Sequence, residues 1–236
     1  MIHPTPARWA HALFRPYIRN LCKRRFSRIE LLGAVPSVPD DCAVLLLPNH
    51  STWWDGFFPY LANEQLFQRP FFIMMLEHRL REFWFFRKLG AFSINQDSPK
   101  AIAESLDFTA SLLGNHADMQ GSKRAMRVQT KPPIVVFFAQ GEIRAWHARP
   151  LGYTRGVEWL MKKCREPLVI LPLAMRCEFL GEEKPAVFLL FGAPQRVEPL
   201  NRAAVPSAAT LEEQQESLLA ELECLIVRGE RGIPLC

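Results

Sequence analysis

The chain has 236 residues, 49% of them apolar, which is enough for one large domain with a sizeable core. Lys and Arg number 29 against 24 Asp and Glu, a net charge of +5 that suits anionic lipid headgroups, nucleic acid or acidic protein and cofactor partners; no zinc-finger spacing or RRM-type aromatic signature supports nucleic acid. Cysteines at 22, 42, 164, 177, 224 and 236 form no C-x-x-C pair, which argues against a disulfide scaffold or a zinc site and for a reducing, cytoplasmic compartment.

The first residues lack the apolar run and small-residue cleavage site of a signal peptide, and no 18-residue window is free of charge, so no transmembrane helix is expected. Residues 7–32 read as helical, with Pro16 as a break or kink. Trp9, Leu13, Tyr17 and Leu21 fall four apart on one stripe, and Arg8, Arg15, Arg19, Lys23, Arg24, Arg25 and Arg28 fill other positions without an acid among them. Such a helix lies on an anionic membrane surface, or packs on the domain with a solvated basic face. Residues 1–34 are thus an N-terminal basic amphipathic helical segment, and 35–236 the main domain.

After the turn-rich 35–41, the apolar run 42–48 reads as a buried parallel strand. A helix over 53–67 follows, then a strand at 70–76, a helix over 77–90 closed by Gly90, and a strand at 91–95. Ser98 as N-cap, Pro99 at the first helical position and Gly114 past the end delimit a further helix. The polar stretch 115–133 reads as a long loop with a basic patch of Lys123, Arg124, Arg127 and Lys131. A strand at 133–139, a helix over 153–164 and strands at 167–175 and 186–192 come next. The T-L-E-E of 210–213 opens a C-terminal helix as a capping box, with Leu211, Leu218, Leu222 and Leu225 as its packed face. Strands alternating with helices predict an α/β fold, a single domain with a largely parallel, helix-covered sheet.

The stretch LLLPNHSTWWDGFF (45–58) ends a strand and at once places His50 and Asp55 five positions apart. Ligands of open α/β sheets bind at the carboxyl ends of the strands. A turn between the two residues can bring the Asp55 carboxylate onto the imidazole Nδ1, which leaves Nε2 as a general base. Taken alone the spacing is a weak signal, and a structural hydrogen-bonded pair is its default reading. No G-x-S-x-G elbow supplies a nucleophilic serine, so a base of this kind suits a substrate that brings its own hydroxyl.

The stretch NHSTWWD resembles the first motif of the glycerolipid acyltransferase family, the lysophosphatidic-acid acyltransferase or PlsC-like group. LGAFSINQ (89–96) resembles its second motif, Gly-x-x-Phe-x-x-Arg. FFAQGEIR (137–144) resembles its third, Phe-Pro-Glu-Gly-Thr-Arg, followed by Arg155-Gly156 opening a helix, and VILPLAM (169–175) resembles its fourth. The likeness spans about residues 40–195. It implies transfer of an acyl chain from acyl-CoA or acyl carrier protein, as co-substrate and without a permanently bound cofactor or metal, to a hydroxyl of a glycerolipid or related acceptor. His50 would be the general base and Asp55 its orienting partner. Gly141 would let the acceptor approach, Arg144 would contact an anionic group, and Pro172 would help shape the acyl-donor side. Trp53 and Trp54 would wall the acyl chain, or are simply core.

Two departures stand at acceptor-binding positions. Gln96 replaces the second-motif arginine and Ala139-Gln140 the third-motif Pro-Glu, and a neutral amide cannot match an arginine on phosphate. Arg87, Lys88, Arg144 or the basic loop would have to compensate, with Glu142 one stand-in for the glutamate; otherwise the acceptor is a neutral or sugar-bearing lipid. The expectation is therefore a peripheral enzyme on the cytoplasmic face of an anionic membrane, acting on 1-acylglycerol-3-phosphate or a related polar lipid. A thioester or lipid hydrolase and a non-catalytic lipid-binding module are the alternatives. FWFF (83–86) reads as core or membrane-contacting, and His78, His116 and His147 as solvated bystanders.

Overall fold

Five parallel strands carry the molecule, and their carboxyl ends define one edge. The computed structural model describes residues 1–114, 131–198 and 205–236. The strands are β1 (Arg28–Leu32), β2 (Ala43–Pro48), β3 (Phe71–Leu76), β4 (Ala91–Ile94), β5 (Ile134–Val136), β6 (Leu168–Glu178), β7 (Ala186–Phe191), β8 (Gln195–Val197) and β9 (Ile233–Pro234). They form one sheet in the order β4-β3-β5-β2-β6-β7-β1-β9, with β8 also on β6. The pairs from β4 to β6 are all parallel, β7 runs antiparallel to β6, and β1 is parallel to β7. The expected α/β fold with a mostly parallel sheet is therefore present, with antiparallel additions beyond β6.

The helices are α1 (Arg8–Arg25), α2 (Phe57–Ala62), α3 (Glu77–Glu82), α4 (Pro99–Gly114), α5 (Gly156–Lys163) and α6 (Ala208–Val227). A strand with a helix on each face must be apolar at every position. In β2, Val44 and Leu46 face the cluster under α1 and α2, while Ala43, Leu45 and Leu47 face the cluster under α4 and α5. Helix α6 closes a third cluster over β7 through Leu218, Leu219 and Leu222.

Several elements differ from the sequence reading. Residues 28–32 are a strand, not the end of a helix: α1 stops at Arg25 and β1 pairs with two distant segments, β7 and β9. Helix α1 continues through Pro16. Its buried stripe is Ala10, Phe14, Ile18 and Cys22, one position round from the expected one, and Trp9, Leu13 and Tyr17 face solvent. Burying Phe14 and Ile18 contributes about 3–6 kcal/mol, which fixes the rotation of the helix. The 53–67 helix winds in three pitches: a 3-10 turn over Trp53–Gly56, then α2, then a π turn over Asn63–Phe67. Helix α6 starts before Thr210, because Ser207 is the N-cap and its Oγ accepts from the Thr210 N–H at 3.1 Å. The strand expected at 133–139 is only three residues long, since the chain turns to build the site. The 115–133 loop lies, except for 131–133, outside the described residues, and with it His116, Lys123, Arg124 and Arg127.

The cysteines are free, and burial pushes the Cys22 and Cys164 thiols up to about 12. Among the described residues no helix is long and apolar enough to cross a membrane.

Pro172 lies buried inside β6. β8 pairs with Leu168–Ile170 and β7 with Leu173–Glu178, so the proline falls at the handover between the two partners, where a missing N–H is tolerated. Gly90 ends the helical turn over Trp84–Leu89 at φ +98°, and a Cβ there would stand 1.9 Å from the Phe71 carbonyl oxygen. Gly90→Ala is therefore expected to lower the unfolding free energy by about 2–4 kcal/mol, measured by urea denaturation. A change below about 0.5 kcal/mol would contradict this packing.

Candidate active site

The carboxyl edge of the parallel strands collects His50 after β2, Gln140 and Gly141 after β5, and Gln96 after β4. The backbone turns at Pro48-Asn49, and Thr52 caps the next helical turn with its Oγ1 accepting from the Trp54 N–H at 3.1 Å. That turn folds the fully buried Asp55 back under the His50 ring. His50 Nδ1 lies 2.9 Å from Asp55 Oδ2. The same oxygen accepts from the Ser51 and Thr52 N–H groups at 2.5 and 2.8 Å, and Oδ1 accepts from the Thr52 hydroxyl at 2.6 Å. An oxygen ringed by N–H donors acts as acceptor, so Nδ1 carries the proton and Nε2 the lone pair. The Phe138 ring stacks on the imidazole at 4.1 Å between centroids and 23° between planes.

His50 opens onto a cavity of about 600 Å³, within the usual range for a ligand site. Its walls are mostly apolar and come from both faces of the sheet. Tyr60, Phe71 and Ile73 belong to the α1 side; Met74, Leu106 and Phe137 belong to the α4 side. Trp53, Gln96 and Gly141 line it as well. The exposed Gln96 donates its amide to the Gly141 carbonyl at 2.8 Å, and Gly141 holds φ +72°. A Cβ on Gly141 would meet nothing closer than 3.7 Å, so the backbone conformation, not crowding, favours glycine there.

Other residues named from sequence fall elsewhere. Arg144 sits against Gly152, where an added Cβ would meet its guanidinium at 2.5 Å, and forms an ion pair with Glu142 at 2.8 Å. Its main-chain N–H donates to the His50 carbonyl at 3.0 Å. Trp54 packs edge-on against Phe26 at 5.2 Å, away from the cavity, while Trp53 is half exposed at its mouth. Pro172 lies across β2 from the cavity. Gln140 is buried, with both amide atoms on the His50 backbone at 2.6 and 3.3 Å. His78 is an exposed rim residue and His147 is exposed. Phe138, Thr52 and Asn49 are contributors that the sequence reading did not single out; the Thr-x-x-Asp capping pattern was the available signal for Thr52.

A family model described as Acyltransferase matches residues 34–175. No match is found among the curated proteins. Among solved structures, the chain is similar to the crystal structure of the 1-acyl-sn-glycerophosphate (LPA) acyltransferase, PlsC, from Thermotoga maritima. The TM-score is 0.52 at 15% identity, covering 89% of this chain and 79% of that one. At that identity the likeness is one of fold.

Removing the buried carboxylate strands the Ser51 and Thr52 N–H groups, the Thr52 hydroxyl and His50 Nδ1–H together. Asp55→Ala is expected to cost about 2–4 kcal/mol of unfolding free energy, read by urea denaturation. A loss under about 1 kcal/mol would mean that the turn is held by something else.

Proposed function

The chain belongs to the acyltransferase family, and on that premise we propose that it is an O-acyltransferase. It moves a fatty acyl group from acyl-CoA or acyl carrier protein to a hydroxyl of a lysophospholipid or related polar lipid. The observation that carries this reading is His50 Nε2, backed by Asp55 at 2.9 Å from Nδ1, at an apolar cavity. The acceptor hydroxyl gives its proton to Nε2 as its oxygen attacks the thioester carbonyl. The C–S bond then breaks, and the leaving thiolate takes the proton back from the imidazolium. Asp55 stabilises the imidazolium between these steps. The acyl chain lies in the cavity, and its apolar walls hold back water, which favours transfer over hydrolysis.

For the acceptor, 1-acylglycerol-3-phosphate is the starting expectation, in line with the activity named for the Thermotoga maritima protein. A neutral or glycosylated lipid is the second reading. Its support is that the neutral Gln96 amide is engaged with Gly141 and the Arg144 guanidinium pairs with Glu142. Thiol release from labelled acyl-CoA on anionic vesicles, with lysophosphatidic acid, a neutral lyso-lipid and a glycolipid as acceptors, tests both. Release should depend on the acceptor and fall about 10²–10⁴-fold in His50→Ala. Release without acceptor dependence, or an unimpaired mutant, contradicts the transferase.

The reading includes peripheral attachment to an anionic membrane, on its cytoplasmic face. Trp9, Leu13 and Tyr17 on α1 and Trp84 are all more than half exposed. A groove lined by Leu13, Tyr17, Phe83 and Trp84 adjoins the cavity through Trp53 and Phe57, which line both. The arginines of α1 supply the attraction to lipid headgroups. Leu13→Glu with Trp84→Glu is expected to weaken binding to anionic vesicles at least about tenfold in a flotation assay. Unchanged flotation would contradict attachment through this face.

A further inference from the structure

We infer that Gln140 is the positioning residue that sets His50 in register, and that in this chain it does so as a neutral amide with one donor and one acceptor on the His50 backbone. Gln140 lies four residues beyond the end of β5 and is buried. Its Oε1 accepts from the His50 N–H at 2.6 Å, and its Nε2 donates to the His50 carbonyl at 3.3 Å. On the other side of the strand end, Asn49 does the same for β6. Its Nδ2 donates to the Met175 carbonyl at 3.0 Å and its Oδ1 accepts from the Met175 N–H at 2.8 Å. Two side-chain amides thus continue the ladder of β2 beyond Pro48, one on each flank; the His50 carbonyl also accepts from the Arg144 main-chain N–H at 3.0 Å, whereas Gln140 Oε1 is the partner of the His50 N–H.

The chemistry of the clamp is selective. The opposite orientation of the Gln140 amide would set its NH₂ against the His50 N–H, donor to donor. An ionised carboxylate would satisfy the N–H but turn its second oxygen towards the His50 carbonyl. A protonated carboxyl restores one donor and one acceptor in the same shape. An apolar side chain would leave the buried N–H unmade. Gln140 therefore acts through His50 and not as an acceptor ligand. Since an ångström of misplacement at a catalytic group costs about 10² in rate, the clamp should appear in kcat rather than KM.

The kinetic part rests on the transferase reading; the structural part does not. The test compares native chain, Gln140→Leu and Gln140→Glu from pH 5 to 9. One readout is kcat and KM with palmitoyl-CoA and the best acceptor of the panel above. The other is hydrogen-exchange protection of the His50 N–H by NMR, without substrate. Gln140→Leu should lose about 100-fold in kcat with KM within about threefold, and lose protection at His50. Gln140→Glu should approach native kcat and protection at the acidic end. Both ratios to native should then fall, kcat by about tenfold or more, as pH rises and the new carboxyl ionises. A pH-independent ratio for Gln140→Glu, or unchanged His50 protection in Gln140→Leu, overturns the proposal. If the native chain turns over no acyl thioester, the transferase reading fails, and the exchange data alone still decide the clamp.

Discussion

A carboxylate with no access to water organises this molecule's working edge. Burying a charge is costly unless every lone pair finds a donor. Both Asp55 oxygens are bonded, Oδ2 by two main-chain N–H groups and the His50 imidazole and Oδ1 by a threonine hydroxyl. Three of those donors come from the turn that Asp55 itself closes, so the turn cannot open without leaving these groups unpaired. The geometry of His50 is a consequence. Its Nδ1 is committed to Asp55, one ring face is covered by Phe138, and Nε2 is left for the cavity. The dyad is preformed by the turn itself, which under the proposed function is where such a site would gain rate.

The sheet provides the second requirement, a fixed origin for that turn. Strand β2 lies between β5 and β6, with apolar side chains on both faces. Beyond Pro48 the backbone would be free to fray, and Asn49 and Gln140 extend the pairing by side chain. Cavity and dyad then meet at the same edge. Hydrocarbon walls beside a hydrogen-bonded imidazole strengthen the electrostatics of the pair, and in the proposed transfer they would keep water from competing with an acceptor hydroxyl.

Much of this was legible in the residues. Continuous apolar runs such as 42–48 and 167–175 are buried strands because both faces are covered. Ser98 and Pro99 open a helix with local signals that tertiary structure had no cause to override, Ser98 Oγ accepting from the Ala101 N–H at 3.4 Å; Gly114, expected past its end, is the last described residue of that helix. The His50–Asp55 contact followed from spacing and the strand end. What was not legible depended on distant partners. Arg28–Leu32 extends a helical-looking pattern, but its neighbours β7 and β9 lie more than a hundred residues away and claim it as a strand. The stripe of α1 was misplaced because Trp9, Leu13 and Tyr17 are as apolar as the true core stripe, and only the packing of Phe14 and Ile18 separates the two. Gln140 reads as a substrate-facing departure in a motif; its commitment to the His50 backbone arises from two strand ends that the sequence does not show side by side.

The central claim is that His50 presents an unprotonated Nε2 because Asp55 holds the proton on Nδ1. Nitrogen-15 NMR of the histidine-labelled native chain, at a pH where the ring is neutral, reads the tautomer directly. The account predicts a protonated Nδ1 coupled to its ring protons as a donor, and an Nε2 with the shift of a bare imidazole nitrogen; Asp55→Asn should disturb this state. An Nε2–H tautomer in the native chain would contradict it, because the nitrogen facing the cavity could then accept no proton from an acceptor hydroxyl.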